Sequence, residues 1–517
     1  RLEIRELEKI PDQWNLYILG LDSMQKMNQS GRLSYYQIGG IHGAPMVPWD
    51  GVQGTANGKW SGYCTHSSNL FPTWHRPYLA LFEQILHANV ADIVESFPAG
   101  ETRDRYAAAA ATFRMPFWDW ARDPAPGQSM YPMSMRTPTI RITAPDGPRE
   151  IHNPLYSYVF HPLNPDDLVY SPWNTYPETV RLPDQSNPPI SQNDALATTL
   201  DSVRWWHKER LYRLFVNADD YTQFATDGNW NSGDAAGFDS LEALHNMPHA
   251  LMGGHMQYVA LSGFDPAFML HHANVDRVFA MWQVLYPNAW VTPQRQRGQT
   301  FTIDVNTLQD GNSPLTPFHS STNGEFWTSN AARNTERLGY TYPEVLEANK
   351  DPARMREIVN RFYAPTSVST RSVTGRAAAQ GMSREYFVNI KASRYGEDGA
   401  YFIFFFLGNP SENSHDWMTD GNLVGMHSVL TSAGARGVTV TAAVPLNTEL
   451  ERRGGTVGFS DVADEMAVEN YLGLNLHWRF AKSDGTEIPR SELPETMITV
   501  VSTDIKLART ANAFPER

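Results

Sequence analysis

Sixteen histidines stand against a single cysteine in this chain of 517 residues. The histidines that could do chemistry fall into two clusters. The upstream cluster is His42, His66 and His75; the downstream one is His245, His249, His255 and the adjacent pair His271 and His272. A separation of four puts His245 and His249 on one face of a helix, because an α-helix turns every 3.6 residues. Two imidazoles on one face can reach one metal ion, but many unrelated metal sites share that spacing. The zinc-peptidase version has a glutamate directly after the first histidine, acting as base. Here that position is Asn246, so a mononuclear zinc hydrolase fits poorly. Neutral imidazole suits zinc, copper, iron and nickel. Carboxylates near these histidines are few, which disfavours non-haem iron chemistry. Six imidazoles without an anionic ligand would hold two ions as three plus three. They leave the metals' positive charge available to a reduced form of dioxygen, a composition that favours a pair of copper ions. His87, His152, His161, His207, His319, His415, His427 and His477 read as surface or hydrogen-bonded core residues.

The elements that must position these residues are legible in outline. Leu16, Leu19 and Met24 begin one helical pattern, and Leu79, Phe82, Leu86 and Ile93 continue one after His75. Trp205, Leu211, Leu214 and Phe215 suggest another. Ser240 can cap a helix carrying Leu241, Leu244 and His245. Asn274–Leu285 reads as one more, with Val275, Val278, Phe279 and Trp282 on one face. Inside the His245 helix, Pro248 would lose a hydrogen bond and clash with the Leu244 carbonyl, so a kink or a fresh turn is expected there. Residues 121–190 hold 14 of the 35 prolines and read as a long irregular elaboration within one domain. Residues 365–383, rich in Ser, Thr, Gly and Ala, read as a linker with exposed Arg371 and Arg376. Beyond it, short apolar runs at Tyr386–Ala392, Tyr401–Leu407, Leu423–Leu430, Val438–Val444, Asn475–Ala481 and Ile498–Leu507 suggest a β-sandwich.

Composition bounds the function. One cysteine excludes an intramolecular disulfide framework and any Cys-rich zinc or iron–sulfur site. A net charge of −14 argues against nucleic acid or an anionic membrane as a general partner. No stretch approaches the roughly 20 apolar residues of a membrane span. Arg1 rather than Met begins the sequence, so the lack of a visible leader is uninformative. The absence of disulfides fits a reducing compartment without excluding secretion. The expectation adopted is a secreted protein, with an intracellular location as the alternative; the oligomeric state is left open.

The stretch GYCTHSSNLFPTWHRPYLALFE (residues 62–83) resembles the first copper motif of the tyrosinase and polyphenol oxidase family. The stretches SLEALHNMPHALMGGHM and FDPAFMLHHANVDRVFAMW (within residues 240–282) resemble the second. Together they are similar to type-3 binuclear copper proteins of fungal type, over roughly residues 1–345. Residues 383–507 more weakly resemble the β-rich domain that follows in fungal tyrosinases. The resemblance implies an α+β multidomain fold. A mainly α-helical catalytic domain (1–364), with a four-helix bundle around the binuclear copper site, precedes the 365–383 linker and a C-terminal β-sandwich domain (384–510).

Carried over by residue, the resemblance gives His42, His66 and His75 to the first copper ion and His245, His249 and His272 to the second. His271 becomes a hydrogen-bonded neighbour. Asp276 matches an aspartate that orients a ligand imidazole; the plain alternative is a helix-surface carboxylate paired with Arg277. Cys64, two residues before His66, matches a cysteine that forms a thioether to that histidine ring. Glu242 and Asn246 match a pair that holds a water thought to deprotonate an incoming phenol. A phenol of pKa near 10 must lose its proton before binding a metal as phenolate. Ala250 and Gly263 would shape the substrate entrance, Phe264 and Phe268 pack the core, and Tyr340-Thr341-Tyr342 matches the motif ending the copper domain. Met269 and Pro248 depart from the family pattern without removing a ligand.

The function so implied is a two-copper oxidase. It uses O2 to take o-diphenols to o-quinones and also hydroxylates monophenols, with phenolic small molecules as partners. The rivals are a catechol oxidase without useful monophenolase activity and, from another class, a haemocyanin-like oxygen carrier. A covering, regulatory role for the β-domain is a further expectation.

Overall fold

Five of the expected apolar patterns form helices: α1 (Pro11–Lys26), α2 (Phe71–Ser96), α3 (Asn193–Asn217), α4 (Leu241–Met252) and α5 (Ala267–Leu285). The computed structural model describes residues 1–168, 170–228, 239–365, 382–394, 399–457, 461–508 and 510–517. Most of the expected 365–383 linker, with Arg371 and Arg376, lies outside the described residues. Helix α2 packs on α5, α5 on α4 and α4 on α3, forming the bundle that carries the histidines. The buried apolar residues of this bundle belong to one core, except Ala243 of α4, which packs into the core of the C-terminal region. Ser240 caps α4 as its sequence suggests, its Oγ accepting from the Ala243 amide at 3.1 Å. Every residue of α4 is buried. Such a helix has no solvent face, and its composition, LEALHNMPHALM, lacks the charged stripe of a surface helix. Pro248 neither breaks α4 nor starts a new turn: the helix runs through it to Met252. Tight packing on all sides holds the turn that the missing amide leaves unbonded.

After α4 the chain reverses at Gly253 and Gly254, whose φ values are +60° and +54°. A side chain at Gly254 would place its Cβ 1.7 Å from the Val180 carbonyl oxygen, so only glycine fits. That contact brings the proline-rich segment against the bundle. The segment is irregular as expected, apart from a hairpin of β1 (Thr139–Ala144) and β2 (Gly147–His152). Its turn contains Pro145, Asp146 and Gly147, which is the local hairpin signal the proline count obscured. Arg181 anchors the segment from within. Its guanidinium pairs with Asp265 at 2.7 Å and donates to the Tyr131 hydroxyl and to the Met135 and Leu155 carbonyls.

The C-terminal region has two antiparallel three-stranded sheets. Their strands are β3 (Met382–Ser393), β4 (Gly399–Leu407), β5 (Leu423–Thr431), β6 (Thr439–Pro445), β7 (Leu476–Lys482) and β8 (Met497–Lys506), in orders β6-β3-β8 and β7-β4-β5. Alternate residues from both sheets, among them Val388, Ile390, Ile403, Phe405, Val440 and Val444, form one sandwich core. Phe402, Phe404 and Phe406, on the other face of β4, join the core of the helical domain instead. That explains the unbroken apolar run of β4, since a strand buried on both faces has no polar side to alternate with.

The two helices bearing His75 and His272 are tied by buried charge. Asp276 of α5 accepts from Arg76 Nε at 2.7 Å and from the Tyr340 and Tyr342 hydroxyls at 2.6 and 2.7 Å. Arg1 Nη1 lies 3.5 Å away. Among the described residues the hydrogen-bond partners of Asp276 are Arg76, Tyr340, Tyr342 and Arg1 and not the expected ligand ring, nor does it pair with Arg277, which binds Asp119 and Glu344. The reason is position: Arg76 follows His75 on α2 and claims the carboxylate first. Burial alone would raise the Asp276 carboxyl, but Arg76 and Arg1 outweigh it and hold it below its usual range. Asp276→Ala would leave Arg76 buried and unpaired, and the expected loss of folding stability is about 3–5 kcal/mol. Urea unfolding of the variant against the parent chain measures it; a loss below about 1 kcal/mol would contradict this role.

Candidate metal centre

His75 lies in the first turns of α2, where its Nδ1 donates to the Phe71 carbonyl at 2.8 Å. His42, just beyond the short helix Tyr35–Gly40, donates from Nδ1 to the Val259 carbonyl at 2.8 Å. His249 on α4 donates from Nδ1 to the Met256 carbonyl at 2.7 Å. A neutral imidazole that donates at Nδ1 presents a lone pair at Nε2. The loop after Gly253 and Gly254 thus supplies two of the three carbonyls that set these rings. Helix geometry supplies the fourth ring, with His245 and His249 on one face of α4 and centroids 4.6 Å apart. His245 Nδ1 approaches the Asn246 side-chain oxygen at 3.0 Å, and its Nε2 is buried without a hydrogen-bond partner.

The freed nitrogens converge. His42 Nε2 and His75 Nε2 stand 3.5 Å apart, and His249 Nε2 and His272 Nε2 stand 3.2 Å apart. With both Nδ1 atoms committed to carbonyls, the first pair turns two lone pairs toward each other, an arrangement a cation between them would relieve. Two imidazole nitrogens held about 2 Å from one ion stand about 3.3–3.5 Å apart at angles of about 110–120°. The donor set therefore fits a metal of the zinc and copper class. Ligand atoms lie within 4.8 Å of one another in three groups: His42, His75 and His272; His42, Cys64 and His66; and His245, His249, His271 and His272. His75 and His272 stack across the centre at 4.5 Å, so the two halves form one buried box. Burial holds all six imidazoles below their ordinary range, His75 to about 3 and His249 to about 4. They stay neutral, as metal ligands must.

The surrounding residues depart from expectation in several ways. His271 is no hydrogen-bonded neighbour: both its ring nitrogens are buried without a hydrogen-bond partner. The ring is walled in by His245, stacked at 5.1 Å, and by His249 and His272 at 4.7 and 5.0 Å between ring centres. Cys64 is buried beside His42 and His66, its thiol pushed up by burial and by the nearby Glu242 charge. Phe268 packs, as expected, but on the site itself, 4.1 Å from the His272 ring and 4.7 Å from His42. Phe264 stacks on Tyr36 in the core.

Gly263 and Ala250 are not among the residues lining the small cavity beside His42 and His66. A Cβ at Gly263 would lie 2.4 Å from the Gly39 carbonyl oxygen and 3.2 Å from His42 Cβ, so this glycine permits close packing beneath His42. Ala250 is buried inside α4. That cavity, of about 30 Å³, is lined by His42, Cys64, His66, Tyr170, Val259 and Gln299 and roofed by Ser432, Gly434 and Ala435 of the β-domain.

Glu242 and Asn246 do not touch each other. Glu242 accepts from the Ser67 amide at 2.7 Å, the Thr226 hydroxyl at 2.9 Å, the Asp227 amide at 3.3 Å and Arg394 at 3.2 Å. Asn246 donates to Asp227 at 3.2 Å. Burial, then the Asp227 charge, pushes the Glu242 carboxyl well above its usual range, against the pull of Arg394. Asp227 and Arg394 were not singled out in the sequence. Each is one charged residue among many there, and only folding brings them to the histidines.

Comparison with known proteins agrees with this geometry. The sequence model described as the common central domain of tyrosinase matches residues 32–285, and that of the tyrosinase C-terminal domain matches residues 385–500. A tyrosinase of Podospora anserina is 34% identical over 92% of this chain and 91% of its own length. A tyrosinase of Neurospora crassa is 31% identical over 98% of this chain and 92% of its own. Among solved structures, a mushroom tyrosinase crystallised in latent and active forms superposes with a TM-score of 0.85. It is 26% identical and covers all of this chain and 94% of its own. An Aspergillus oryzae pro-tyrosinase variant, 22% identical with a TM-score of 0.75, shares the fold over all of this chain and 94% of its own. With imidazoles from α2, α4 and α5 gathered in one buried box, and relatives matching along nearly the whole chain, this protein belongs to the tyrosinase family of type-3 copper oxidoreductases.

Proposed function

We infer that the chain binds two copper ions and uses O2 to oxidise o-diphenols to o-quinones, and that it also hydroxylates monophenols. The observation that carries this reading is the pair of Nε2 lone pairs facing each other 3.5 Å apart between His42 and His75. His42, His66 and His75 would hold one ion; His245, His249 and His272 would hold the other. Copper bound there would supply dioxygen binding and the transfer of two electrons per diphenol. The chain supplies the rest. The carbonyls of Phe71, Val259 and Met256 fix the rings, and Phe268 fills the space against His42 and His272. Glu242 is the group assigned to take the phenolic proton: burial and Asp227 raise its affinity for a proton, while Arg394, the Ser67 amide and the Thr226 hydroxyl stabilise the ionised form that accepts it.

Access is the second part of the reading. A cavity of about 30 Å³ has room for about two water molecules, whereas benzene occupies a cavity of about 150 Å³. The β-domain therefore covers the site against phenols, and substrate enters when the Ser432–Ala435 loop moves. That loop is pinned at Gly434, whose carbonyl accepts from the Gln299 amide at 2.7 Å. A Cβ there would lie 2.3 Å from the Gln299 oxygen. Cys64, beside His66, is assigned the thioether to that ring, which would remove the only thiol and fix the imidazole.

The tests are direct. Metal analysis of the loaded protein should give two coppers per chain. With trace diphenol removed, tyrosine or tyramine should still turn over; its failure would leave a catechol oxidase, and failure of catechol turnover as well would leave an oxygen carrier. Glu242→Gln should lower monophenol hydroxylation by roughly 100-fold and diphenol oxidation much less; equal losses would remove Glu242 from proton transfer. Intact mass should be two hydrogens lighter than the free-thiol sequence, and an unshifted mass would exclude the thioether. Gly434→Val should raise diphenol turnover of the uncut chain at unchanged copper content. No change would mean that this loop does not limit access.

A further inference from the structure

Beneath the second half of the histidine box lies a buried ionic cluster to which the β-domain contributes a side chain. Arg394 follows β3 and is almost fully buried. Its guanidinium contacts both Asp227 oxygens, at 3.1 and 3.0 Å, and Glu242 at 3.2 Å. It also donates to Ser67 Oγ, at 3.1 Å from Nε and 2.9 Å from Nη2, and to the Leu430 carbonyl. Ser67 Oγ itself donates to Asp227 at 3.0 Å. The β-domain grips Asp227 a second time through its backbone, where the Thr441 amide donates to the Asp227 carbonyl at 2.9 Å.

One further step reaches the metal-binding face. Asp227 Oδ2 receives the Asn246 amide at 3.2 Å, which turns the Asn246 oxygen toward His245 Nδ1 at 3.0 Å, the nearer of two acceptors there, with the Glu242 carbonyl at 3.3 Å. A proton on Nδ1 leaves the lone pair on Nε2, the atom that is buried without a hydrogen-bond partner. The order is thus Arg394, Asp227, Asn246, His245, in unbroken hydrogen-bond contact from the β-domain to a ligand imidazole. Outer partners of this kind fix ligand tautomer and direction. Two buried carboxylates side by side need a counter-ion, and Arg394 is the cation they share.

We propose that Asp227 and Arg394 are positioning residues of the second copper site: Arg394, brought by the β-domain, holds Asp227 where it orients Asn246 and, through it, His245. The β-domain is then part of the metal centre's support as well as its cover. This rests on the two-copper reading above.

The test is copper retention by the full-length holoprotein under dialysis against a Cu(I) chelator, read together with diphenol kinetics. Asp227→Ala removes the acceptor for Asn246 while leaving Arg394 paired with Glu242, so no buried guanidinium is left without a carboxylate. It should lower affinity at one site by roughly 10- to 100-fold and leave about one copper per chain where the parent keeps two. Arg394→Lys, which restores the charge without the guanidinium fork, should retain more of the second copper than Arg394→Met. Should Arg394→Met fail to fold, the other two variants decide the matter. Retention of both coppers in Asp227→Ala and Arg394→Lys overturns the proposal. So does equal loss from both sites, which marks a general weakening of the fold. A parent chain that binds no copper refutes the function itself, a result distinct from either.

Discussion

Three backbone carbonyls, those of Phe71, Val259 and Met256, set what the histidine box can be. By accepting from Nδ1 they fix tautomer and ring direction in His75, His42 and His249, and so aim lone pairs inward. Side-chain partners could rotate away; carbonyls move only if the backbone does. The reversal at Gly253 and Gly254, the packing of Gly263 against Gly39, and the continuity of α4 through Pro248 all serve to keep those carbonyls in place. Neutral rings in a dry interior resist protonation, so the site stays ready for a cation where exposed histidines would compete with acid.

Buried charge performs the corresponding task between elements. Asp276 with Arg76 ties α5 to α2, Arg181 with Asp265 ties the proline-rich segment to the bundle, and Arg394 with Asp227 and Glu242 ties the β-domain to α4. Each pair lies within a residue or a few of a proposed ligand or of the helix that carries it. Such pairs add little net stability over apolar packing but make misplacement expensive, because a displaced partner leaves an uncompensated charge in low dielectric.

Much of this was legible in the sequence, for a physical reason. His245 and His249 on one helix, the Ser240 cap and the short apolar strands of the C-terminal domain are local signals, and each lies in the element its pattern suggested. The errors concern what only the third dimension supplies. Asp276 reads locally as a partner for an imidazole or for Arg277, yet Arg76 reaches it from another helix. Gly263 reads as an opening but is a point of close approach. His271 reads as hydrogen-bonded beside His272 but is packed among the other imidazoles. Asp227 and Arg394, 167 residues apart, carry no local pattern, and neither the cluster nor the roof over the cavity has a signature in one dimension. The Asp146-Gly147 turn is different, a local signal that went unread beside so many prolines.

The two-faced burial of β4 has a consequence for how the molecule comes apart. Phe402, Phe404 and Phe406 belong to the helical core while Ile403 and Phe405 belong to the sandwich, so the boundary drawn by connectivity is not the boundary of cooperativity. Cutting the chain between the domains alters which atoms are covalently joined and leaves that apolar contact intact. Hydrolysis and separation are therefore two events with separate barriers. A nicked molecule remains a non-covalent complex until something else, such as detergent, acid or heat, works on the interface.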